Sequence, residues 1–424
     1  MSAVVIGIDI GTSGARAVAM DATSTIVAQS TAPLSDFGDN HLDPDIWWAA
    51  AARSIRGCME AIDGSEVRAM AVDGTSGTVL PVDSTGRPLA APLMYNDKVA
   101  DAGLLARIAP LMPPESAAHG PTSGLAKMLV FQLVPGVAKL LHQADWIAGR
   151  LSGRFDVTDE NNALKSGYDP VAGRWPGWIA DTGLKPEFLP EVLAPGAVIG
   201  NILGAVADQF GLPSDVRIIA GTTDGCASFL ATGASEPGDG VSALGSSLTL
   251  KLLSSAPIFA PEFGIYSHHI LGVWLAGGAS NTGGKVLAHF FDPDSLRRLS
   301  AAIDPSRPSG LDYYPLLSPG ERFPIMDPSL PPRLEPRPAQ ESEFLKGLLE
   351  GIAAIEQLGY QRLEEFGAPK LKSVRSVGGG SANPHWTSIR RRLLGVPFLA
   401  AASGEAAAGA ARLALAGARE AGIL

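Results

Sequence analysis

The chain begins with an apolar stretch that predicts a buried strand. Val4 to Ile10 is almost continuously apolar and carries one charged residue, Asp9. The turn Gly11 to Gly14, with the sequence GTSG, follows and leads into a second apolar stretch, Ala15 to Met20. Such runs are typical of strands that are covered on both faces. The pattern therefore predicts a strand that ends near a carboxylate, a four-residue turn and a second strand.

The pattern of strand, small polar turn and strand returns later in the chain. Val67 to Asp73 predicts a strand that ends in a carboxylate and leads into a second GTSG, Gly74 to Gly77. Gly240 to Leu252 predicts two strands around the turn Gly245-Ser246-Ser247. The likeness of this last segment to the start of the chain indicates a duplicated domain.

Helical patterns separate the predicted strands. Asp43 and Pro44 form an N-cap and a first helical residue before an amphipathic stretch. Further helices are predicted at Ala100 to Ile108, Gly124 to Leu133, Lys139 to Leu151 and Phe344 to Tyr360. Residues 304–340 are rich in proline and predict a long irregular segment. Strands that alternate with helices predict an α/β fold.

A second carboxylate of interest follows the predicted strand Val216 to Ala220. The segment Gly221 to Gly225, with the sequence GTTDG, places Asp224 at the end of that strand and near the start of a helix. This position suits a catalytic carboxylate, but it suits a helix N-cap equally well. The residues alone leave both interpretations open.

Composition narrows the class of protein. The 424 residues are 46% hydrophobic and 18% charged, which is typical of a globular protein with two or three domains. The formal net charge of -10 argues against nucleic acid or an anionic membrane as a partner. The chain shows no signal peptide and no long apolar run, so we expect a cytoplasmic protein. Cys58 and Cys226 have no CxxC or histidine partner nearby, so we expect both to be buried and structural.

The turns carry the candidate chemistry. Backbone N–H groups and hydroxyls of a GTSG turn can bind phosphate oxygens, and a nearby carboxylate can hold the Mg²⁺ that accompanies a nucleotide. The turn at Gly11 is not a P-loop, because no GK[ST] follows and the chain continues as a strand. Two such turns, at Gly11 and at Gly245, could bind one polyphosphate from both sides. Gly378 to Gly380 opens a further glycine-rich loop before a helix, which allows close approach of a flat ring or a phosphate.

Taken together, these segments resemble the FGGY carbohydrate kinases of the actin-like ATPase superfamily. GIDIGTSGARAVAMD is similar to the first phosphate motif of the family, GTTDG to the loop with the catalytic aspartate, and GVSALGSSLTL to the second phosphate motif. GGASNTGG and VGGGSANPHW resemble the nucleotide and adenosine motifs, and LDYYPLLSPGERFP resembles the proline-rich segment of the family. The likeness covers essentially the whole chain and is greatest to the short D-ribulose kinases of cyanobacteria and plastids, which are similar to xylulokinases.

The resemblance implies a fold and a site. It implies two actin-like, ribonuclease H-like α/β domains with a cleft between them, residues 1–231 with 405–424 and residues 232–404. It implies that Asp224 is the catalytic base and that Asp9 orients Mg²⁺, largely through water. The residues implied to bind ATP are Thr12, Ser13, Gly14, Gly245, Ser246, Gly278, Gly379, Gly380, Asn383 and Trp386. Those implied to bind the sugar are Asp9, Ser76, Asp224 and Asn96.

The implied activity is ATP-dependent phosphorylation of the primary hydroxyl of a free ketose, with D-ribulose as the acceptor. D-Xylulose and polyols are alternative acceptors within the family. Two residues depart from the family pattern: Ser246 stands where many members have threonine, and Asp97 adds a negative charge beside Asn96. An actin-like ATPase switch and a non-catalytic sugar or nucleotide sensor are alternatives of another class. A monomer and a homodimer fit the sequence equally.

Overall fold

Two six-stranded β-sheets organise the chain in a computed structural model that describes residues 3–424. The strands are β1 (Val4–Ile10), β2 (Gly14–Asp21), β3 (Ile26–Pro33), β4 (Val67–Gly74), β5 (Val79–Val82), β6 (Lys139–His142), β7 (Val157–Asp159), β8 (Glu191–Leu193), β9 (Val198–Asn201), β10 (Arg217–Thr223), β11 (Asp239–Leu244), β12 (Leu248–Ser254), β13 (Tyr266–Ile270), β14 (Val273–Ala279), β15 (Ser373–Val377) and β16 (Phe398–Leu399). The helices are α1 (Pro44–Met59), α2 (Ala102–Ile108), α3 (Gly124–Phe131), α4 (Gln143–Ser152), α5 (Glu160–Leu164), α6 (Trp178–Asp181), α7 (Gly204–Phe210), α8 (Asp224–Ala231), α9 (Gly284–Phe290), α10 (Pro293–Ala301), α11 (Glu341–Glu365), α12 (Pro384–Leu394) and α13 (Ala406–Glu420).

The chain divides into two compact units. The first contains the described residues up to Ala231, the short segment His268–Gly272 and the C-terminal segment Glu405–Leu424. The second contains Thr232–Ser267 and Val273–Gly404. The structure thus groups His268–Gly272 with the first unit, although residues 232–404 were expected to form one domain.

The first sheet has the strand order β3-β2-β1-β4-β10-β9. β1, β2 and β3 are joined by antiparallel hairpins, and β4 and β10 then pair parallel to β1 and to each other. The three parallel strands therefore end at the same edge of the sheet. Functional side chains are expected at this edge in an α/β protein.

The two faces of β1 explain its uninterrupted apolar sequence. Ile6, Ile8 and Ile10 pack in the core that contains α1, whereas Val5 packs with the alanines of α13. Successive side chains of a strand point to opposite faces, so a strand between two helices needs apolar residues at every position. Asp9 lies on the same face as Val5 and therefore points toward the side of α13.

Helix α13 packs against its neighbours with almost no side chain between the backbones. A Cβ atom added at Gly409 would lie 1.8 Å from the backbone oxygen of Ala227 in α8. A Cβ atom added at Gly7 of β1 would lie 2.1 Å from the backbone oxygen of Ala407. Real Cβ atoms do not approach backbone this closely, so both positions need glycine. The alanine and glycine content of α13 is thus a packing requirement.

The second sheet repeats the beginning of the first. Its strand order is β13-β14-β12-β11-β15-β16. β11 and β12 form an antiparallel hairpin, β12 pairs antiparallel with β14, and β11 pairs parallel with β15. This agrees with the duplicated strand–turn–strand pattern of the sequence.

A buried ion pair joins the helices of the second unit to its sheet. Arg390 of α12 donates from Nε and Nη2 to the carboxylate of Glu356 in α11, at 2.6 and 2.7 Å, and both side chains have no exposed surface. Ser242 of β11 donates to Glu356, and Arg390 also donates to Ser376 of β15. Bidentate pairing with further hydrogen bonds offsets the large cost of burying the two charges.

One predicted helix is shorter than expected because its first residues form a strand. Lys139 to Leu151 was predicted to be helical throughout, but Lys139–His142 is β6 and pairs antiparallel with β5. The helix α4 begins only at Gln143, where Asp145 accepts a hydrogen bond from the backbone N–H of His142. The partner strand comes from a distant part of the chain, so the local pattern does not reveal it.

Other expectations agree with the structure. Asp43 caps α1, with Pro44 as its first residue, and α11 covers the predicted Phe344 to Tyr360. Cys58 and Cys226 are both buried.

None of the helices within residues 3–424 combines the length and the hydrophobicity that a membrane span requires.

A buried acidic group caps the short helix α5. Asp159 accepts hydrogen bonds from the backbone N–H groups of Asn161 and Asn162 and from the side-chain amide of Asn162. Burial, with the nearby charge of Asp145, raises the pKa of Asp159 to about 7. This carboxyl therefore changes its charge near neutral pH.

We expect Gly409→Ala to destabilise the protein, because the new methyl group would meet the Ala227 carbonyl and force α13 away from α8. The free energy of unfolding should fall by about 1–3 kcal/mol, the usual cost of overpacking. Urea denaturation measures the change. The control is Gly204→Ala in α7, where a Cβ atom meets nothing within 4 Å and stability should be unchanged or slightly higher. Equal stability of the two variants would contradict the close packing of α13.

Stability should depend on pH through Asp159. The pKa of Asp159 is about 7 in the folded protein and about 3.9 in an unfolded chain. The folded state therefore binds this proton more tightly, and the free energy of unfolding should fall as the pH rises from about 4 to about 7. Asp159→Asn should lose this part of the pH dependence. Urea unfolding midpoints at about pH 5 and pH 8 test it: a variant with the same pH dependence as the wild type would contradict the assignment.

Candidate functional site

Three carboxylates come together where the parallel strands of the first sheet end. Asp9 of β1 lies in register with Asp73 of the neighbouring β4, and Asp73 pairs in turn with Thr222 of β10. Asp224 begins α8 directly after β10, and its charge and that of Asp9 both act on Asp73. The parallel pairing thus brings together residues that are more than 200 positions apart in the sequence.

Asp73 is the most deeply buried of the three. Its side chain has no exposed surface, and neither of its oxygens accepts a hydrogen bond from any donor in residues 3–424. Burial raises the pKa of Asp73 well above the usual range, and the negative charges of Asp9 and Asp224 raise it further. The neutral form of Asp73 is therefore favoured more strongly than that of an exposed aspartate.

Asp9 has a basic partner as well. Nη1 of Arg16 lies 3.2 Å from Oδ2 of Asp9, and Nε of Arg16 lies 3.3 Å from Glu405. Burial raises the pKa of Asp9, while the adjacent Asp73 carboxyl and the hydrogen bond and charge of Arg16 act in the opposite direction. Arg16 therefore compensates part of the negative charge that collects at this edge.

Asp224 stands at the N-terminus of α8, as the sequence predicted. Its Oδ1 accepts a hydrogen bond of 2.7 Å from the backbone N–H of Gly225, and the residue is half-buried. A carboxylate at a helix N-terminus interacts favourably with the helix dipole. Thr222, two residues earlier, accepts a hydrogen bond from the side-chain amide of Asn161, which also donates to the backbone oxygen of His269. These bonds fix the end of β10 from which Asp224 follows.

The donor set at this edge fits a magnesium ion that is held by few protein ligands. Residues 3–424 contain no cluster of three or more acidic, histidine or cysteine side chains that could form a complete metal site. Mg²⁺ bound with a nucleotide commonly takes one or two carboxylates and completes its shell with water and phosphate oxygens. Asp9, a carboxylate near the end of β1, can supply such a ligand.

The predicted phosphate turn of the first unit is exposed. The N–H of Gly11 donates to the backbone oxygen of Gly14, which closes the turn, and the N–H of Leu34 donates to the backbone oxygen of Ser13. Thr12 and Ser13 are both exposed at its tip. Hydroxyls and backbone N–H groups on a fixed turn beside Asp9 are suited to bind phosphate oxygens.

The second GTSG forms a more enclosed loop. The Oγ atom of Ser76 is buried and has no hydrogen-bond partner within residues 3–424. A buried hydroxyl without a hydrogen-bond partner is uncommon in proteins, and it can form a hydrogen bond with a polar group of a ligand. Asn96 is exposed, whereas the carboxylate of Asp97 accepts a hydrogen bond from the N–H of Met94. The carboxylate of Asp97 thus stabilises the turn from Met94 to Asp97, and one of its oxygens is already occupied by this hydrogen bond.

In the second unit, the predicted nucleotide residues border one cavity of about 580 Å³. It lies between the β11–β12 turn, the start of α9, the α9–α10 connection and the glycine-rich loop before α12. The predicted residues that border it are Gly245, Ser246, Gly379, Gly380, Asn383 and Trp386. A volume of this size is typical of sites for cofactors and drug-sized ligands.

Two of these residues have structural partners that restrict their role. Asn383 caps α12 by accepting from the N–H groups of His385 and Trp386, and its amide donates to Ser300. Trp386 is almost fully buried, and its indole N–H donates to the backbone oxygen of Leu349. Its ring packs directly against Gly380, since a Cβ atom added at Gly380 would lie 2.5 Å from the ring. Both residues shape the cavity wall, and their polar groups are already used within the protein.

Gly278, the remaining predicted residue, does not border the cavity. It lies in β14, where an added Cβ atom would lie 2.5 Å from the ring of Phe323. The following loop is held by Glu321, which accepts hydrogen bonds from Ser280 and from the N–H of Asn281. Glu321 belongs to the proline-rich segment, which thereby positions the chain that enters α9.

Sequence reasoning missed two residues of these sites. Asp73 preceded the second GTSG as Asp9 precedes the first, so the repeated carboxylate was the signal that could have identified it. Lys285 borders the cavity beside Gly284 and is exposed. Its N–H donates to the backbone oxygen of Ser246, which links α9 to the β11–β12 turn. A lone lysine in a helix gives no such signal in the sequence.

Sequence models of one protein family match both the N-terminal and the C-terminal part of the chain. The sequence model for the N-terminal domain of the FGGY family of carbohydrate kinases matches residues 4–104. The model for the C-terminal domain of the same family matches residues 240–418. Together the two matches span about two thirds of the chain.

Individual relatives extend over nearly the whole chain. The xylulose kinase of Escherichia coli (strain K12) is 24% identical over 440 residues, which cover 96% of this chain and 89% of the relative. A xylulose kinase of Staphylococcus epidermidis is 22% identical over 419 residues, which cover 93% of this chain and 83% of the relative.

Solved structures show the same fold. The crystal structure described as a xyloylose kinase from Brucella ovis superposes with a TM-score of 0.87 at 24% identity, and the match covers 98% of this chain and 91% of that one. This agreement confirms the α/β fold with two sheet-containing domains of the actin-like ATPase type. With the two family matches and their order along the sequence, it shows that the chain belongs to the FGGY family of ATP-dependent carbohydrate kinases.

Proposed function

We propose that this kinase transfers the γ-phosphoryl group of ATP to the primary hydroxyl of a free ketopentose, with D-ribulose as the first candidate acceptor and D-xylulose as the second. The segment from Asp73 to Val79, DGTSGTV, supports D-ribulose because it resembles that of the short cyanobacterial and plastid D-ribulose kinases. D-Xylulose is supported by the xylulose kinases of E. coli and S. epidermidis among the relatives.

The observation that carries the proposal is the convergence of Asp224 with Asp9 and Asp73 at one edge of the first sheet. A switch or a sensor needs residues that bind ATP, but it needs no further carboxylate placed to accept a proton. The buried, unpartnered hydroxyl of Ser76 adds a polar group that is suited to a sugar.

Asp224 is the proposed general base. A sugar hydroxyl has a pKa far above neutrality, so it attacks the γ-phosphorus only as its proton is removed. The carboxylate of Asp224 accepts this proton, a bond forms between the sugar oxygen and the γ-phosphorus, and the bond to the β-γ bridging oxygen breaks to release ADP. The helix dipole of α8 stabilises the ionised form of the base.

The remaining residues bind and orient the reactants. Thr12, Ser13 and Gly14 bind phosphate oxygens in the first unit, and Gly245 and Ser246 do so in the second. Gly379 and Gly380 allow the nucleotide to approach the backbone, and Asn383 and Trp386 form the wall behind it. Asp9 is the proposed ligand of Mg²⁺, which neutralises negative charge on the transferred group when it is bound.

A screen of acceptors tests the proposal. ADP release is measured with ATP and Mg²⁺ over D-ribulose, D-xylulose, L-ribulose and ribitol, each against a reaction without acceptor. We expect the highest kcat/KM with D-ribulose. A preference for D-xylulose would select the second candidate. ATP turnover that no sugar or polyol stimulates would contradict the kinase proposal and favour a switch.

We expect Asp224→Asn to lose on the order of 10²-fold or more in kcat, because the amide cannot accept the proton. Steady-state ADP release with the best acceptor measures the loss. The matched control is Asp208→Asn, an exposed aspartate of α7 in the same unit, which should leave kcat unchanged. A folded Asp224→Asn protein with near-normal kcat would remove Asp224 from the role of base.

Ser76→Ala should weaken binding of the acceptor without affecting ATP. Loss of one hydrogen bond to the sugar should raise the KM for the acceptor by about 10-fold, while the KM for ATP stays within about twofold. The control is Ser84→Ala, an exposed serine beyond β5. If the KM for ATP rises as much as the KM for the acceptor, Ser76 is not specific to the sugar.

A further inference from the structure

Lys127 is a buried lysine that connects two loops of the first unit. It lies in α3, and its side chain has no exposed surface. Its Nζ atom donates to the backbone oxygen of Gly77 at 2.7 Å and to the backbone oxygen of Met94 at 2.7 Å. One ammonium group thus holds both loops at the same point.

The two loops are those that carry the candidate acceptor residues. Gly77 directly follows Ser76, whose buried hydroxyl has no partner within residues 3–424. Met94 lies two residues before Asn96. Neither loop contributes a residue to the lining of the cavity in the second unit.

A charge at this position is costly, so its presence indicates a function. Both hydrogen-bond acceptors of the Lys127 ammonium are neutral backbone carbonyls. Burial lowers the pKa of Lys127 to about 8, although the charge of Asp97 acts in the opposite direction. A methionine or leucine would fill the same space without this cost. What the lysine adds is the two hydrogen bonds.

Other hydrogen bonds also join the two loops, but they involve residues other than Gly77 and Met94. Val79 and Leu93 exchange backbone hydrogen bonds of 3.0 and 2.9 Å at the base of the loops. The hydroxyl of Thr78 accepts from the N–H of Tyr95 at 3.0 Å and pairs with Thr75. Gly77 itself has a φ of +85°, a conformation that favours glycine. Its carbonyl direction is therefore set by the turn and held by Lys127.

We propose that Lys127 is a positioning residue for the acceptor: by holding the carbonyls of Gly77 and Met94 together, it sets the separation of Ser76 and Asn96 and thereby the fit of the sugar between them. The inference rests on the proposed function, in which these two loops bind the acceptor. It assigns no role to Lys127 in binding ATP or in the transfer step.

The first test compares two lysine variants of the full-length chain. Lys127→Met keeps the volume of the stem and removes both hydrogen bonds. The control is Lys139→Met, because Nζ of Lys139 likewise donates to two backbone oxygens, those of Glu187 and Leu189, away from the two loops. If Lys127→Met is too unstable, Lys127→Gln retains an N–H donor without the charge and serves as the second variant.

We expect the KM of Lys127→Met for the preferred pentulose to rise by about 10-fold or more, with kcat and the KM for ATP within about threefold of the wild type. Lys139→Met should match the wild type in all three constants. Lys127→Gln should give a smaller rise in the acceptor KM. An unchanged acceptor KM, or an equal rise in the KM for ATP, would overturn the inference.

A second readout does not depend on activity. Amide hydrogen exchange of residues 74–78 and 93–97 should be faster in Lys127→Met than in the wild type and in Lys139→Met. If the wild type phosphorylates neither D-ribulose nor D-xylulose, the proposed function fails while this measurement still decides whether Lys127 holds the loops. Unchanged exchange in both segments would overturn the inference.

Discussion

The first unit depends on the close contact between the C-terminal helix and the backbone beneath it. Gly409 of α13 lies against the Ala227 carbonyl of α8, and Gly7 of β1 lies against the backbone of α13. The strand β1, which carries Asp9 near its end, and the helix that begins at Asp224 thus both pack against α13. Because no side chains separate these backbones, none can repack to absorb a change in the distance. The last segment of the chain therefore sets the spacing of two carboxylates that lie near its start and its middle.

The close spacing of these carboxylates causes electrostatic repulsion, which neighbouring groups reduce. Three carboxylates at one sheet edge repel each other and would also repel an incoming polyphosphate. Burial raises the pKa of Asp73 and so favours its neutral form, and Arg16 pairs with Asp9. Asp224, the proposed base, is the half-buried carboxylate of the three. A cation bound near Asp9 would reduce the repulsion of phosphate further, which is consistent with the magnesium ion proposed there.

Much of the fold and part of the site could be predicted from the sequence, and the difference has a physical cause. The end of β1, the turn after β11 and the helix that starts near Asp224 follow local rules, so the sequence located Asp9, Asp224, Gly245 and Ser246 in the expected elements. The strand β10 extends to Thr223, three residues beyond its predicted end. The engagement of Asn383 with Ser300 depends on a contact between distant residues. So does the pairing of Lys139–His142 with β5. The local pattern cannot show which polar groups remain available once the chain has folded.

Buried polar groups support both candidate sites from behind. Glu321 holds the chain that enters α9 beside the cavity proposed for the nucleotide. The Glu356–Arg390 pair joins α11, α12 and the second sheet, and Lys127 holds the loops of Ser76 and Asn96. In each case the charged group has little or no exposed surface and its partners come from separate elements. An apolar contact at these places could slide, whereas hydrogen bonds fix both distance and direction. The groups proposed to contact the phosphates, Thr12 and Ser13, are instead exposed at a turn tip. Rigid support and exposed contacts are therefore divided between different residues: buried hydrogen bonds hold the loops proposed to bind the sugar, and the turn proposed to bind phosphate is open to solvent.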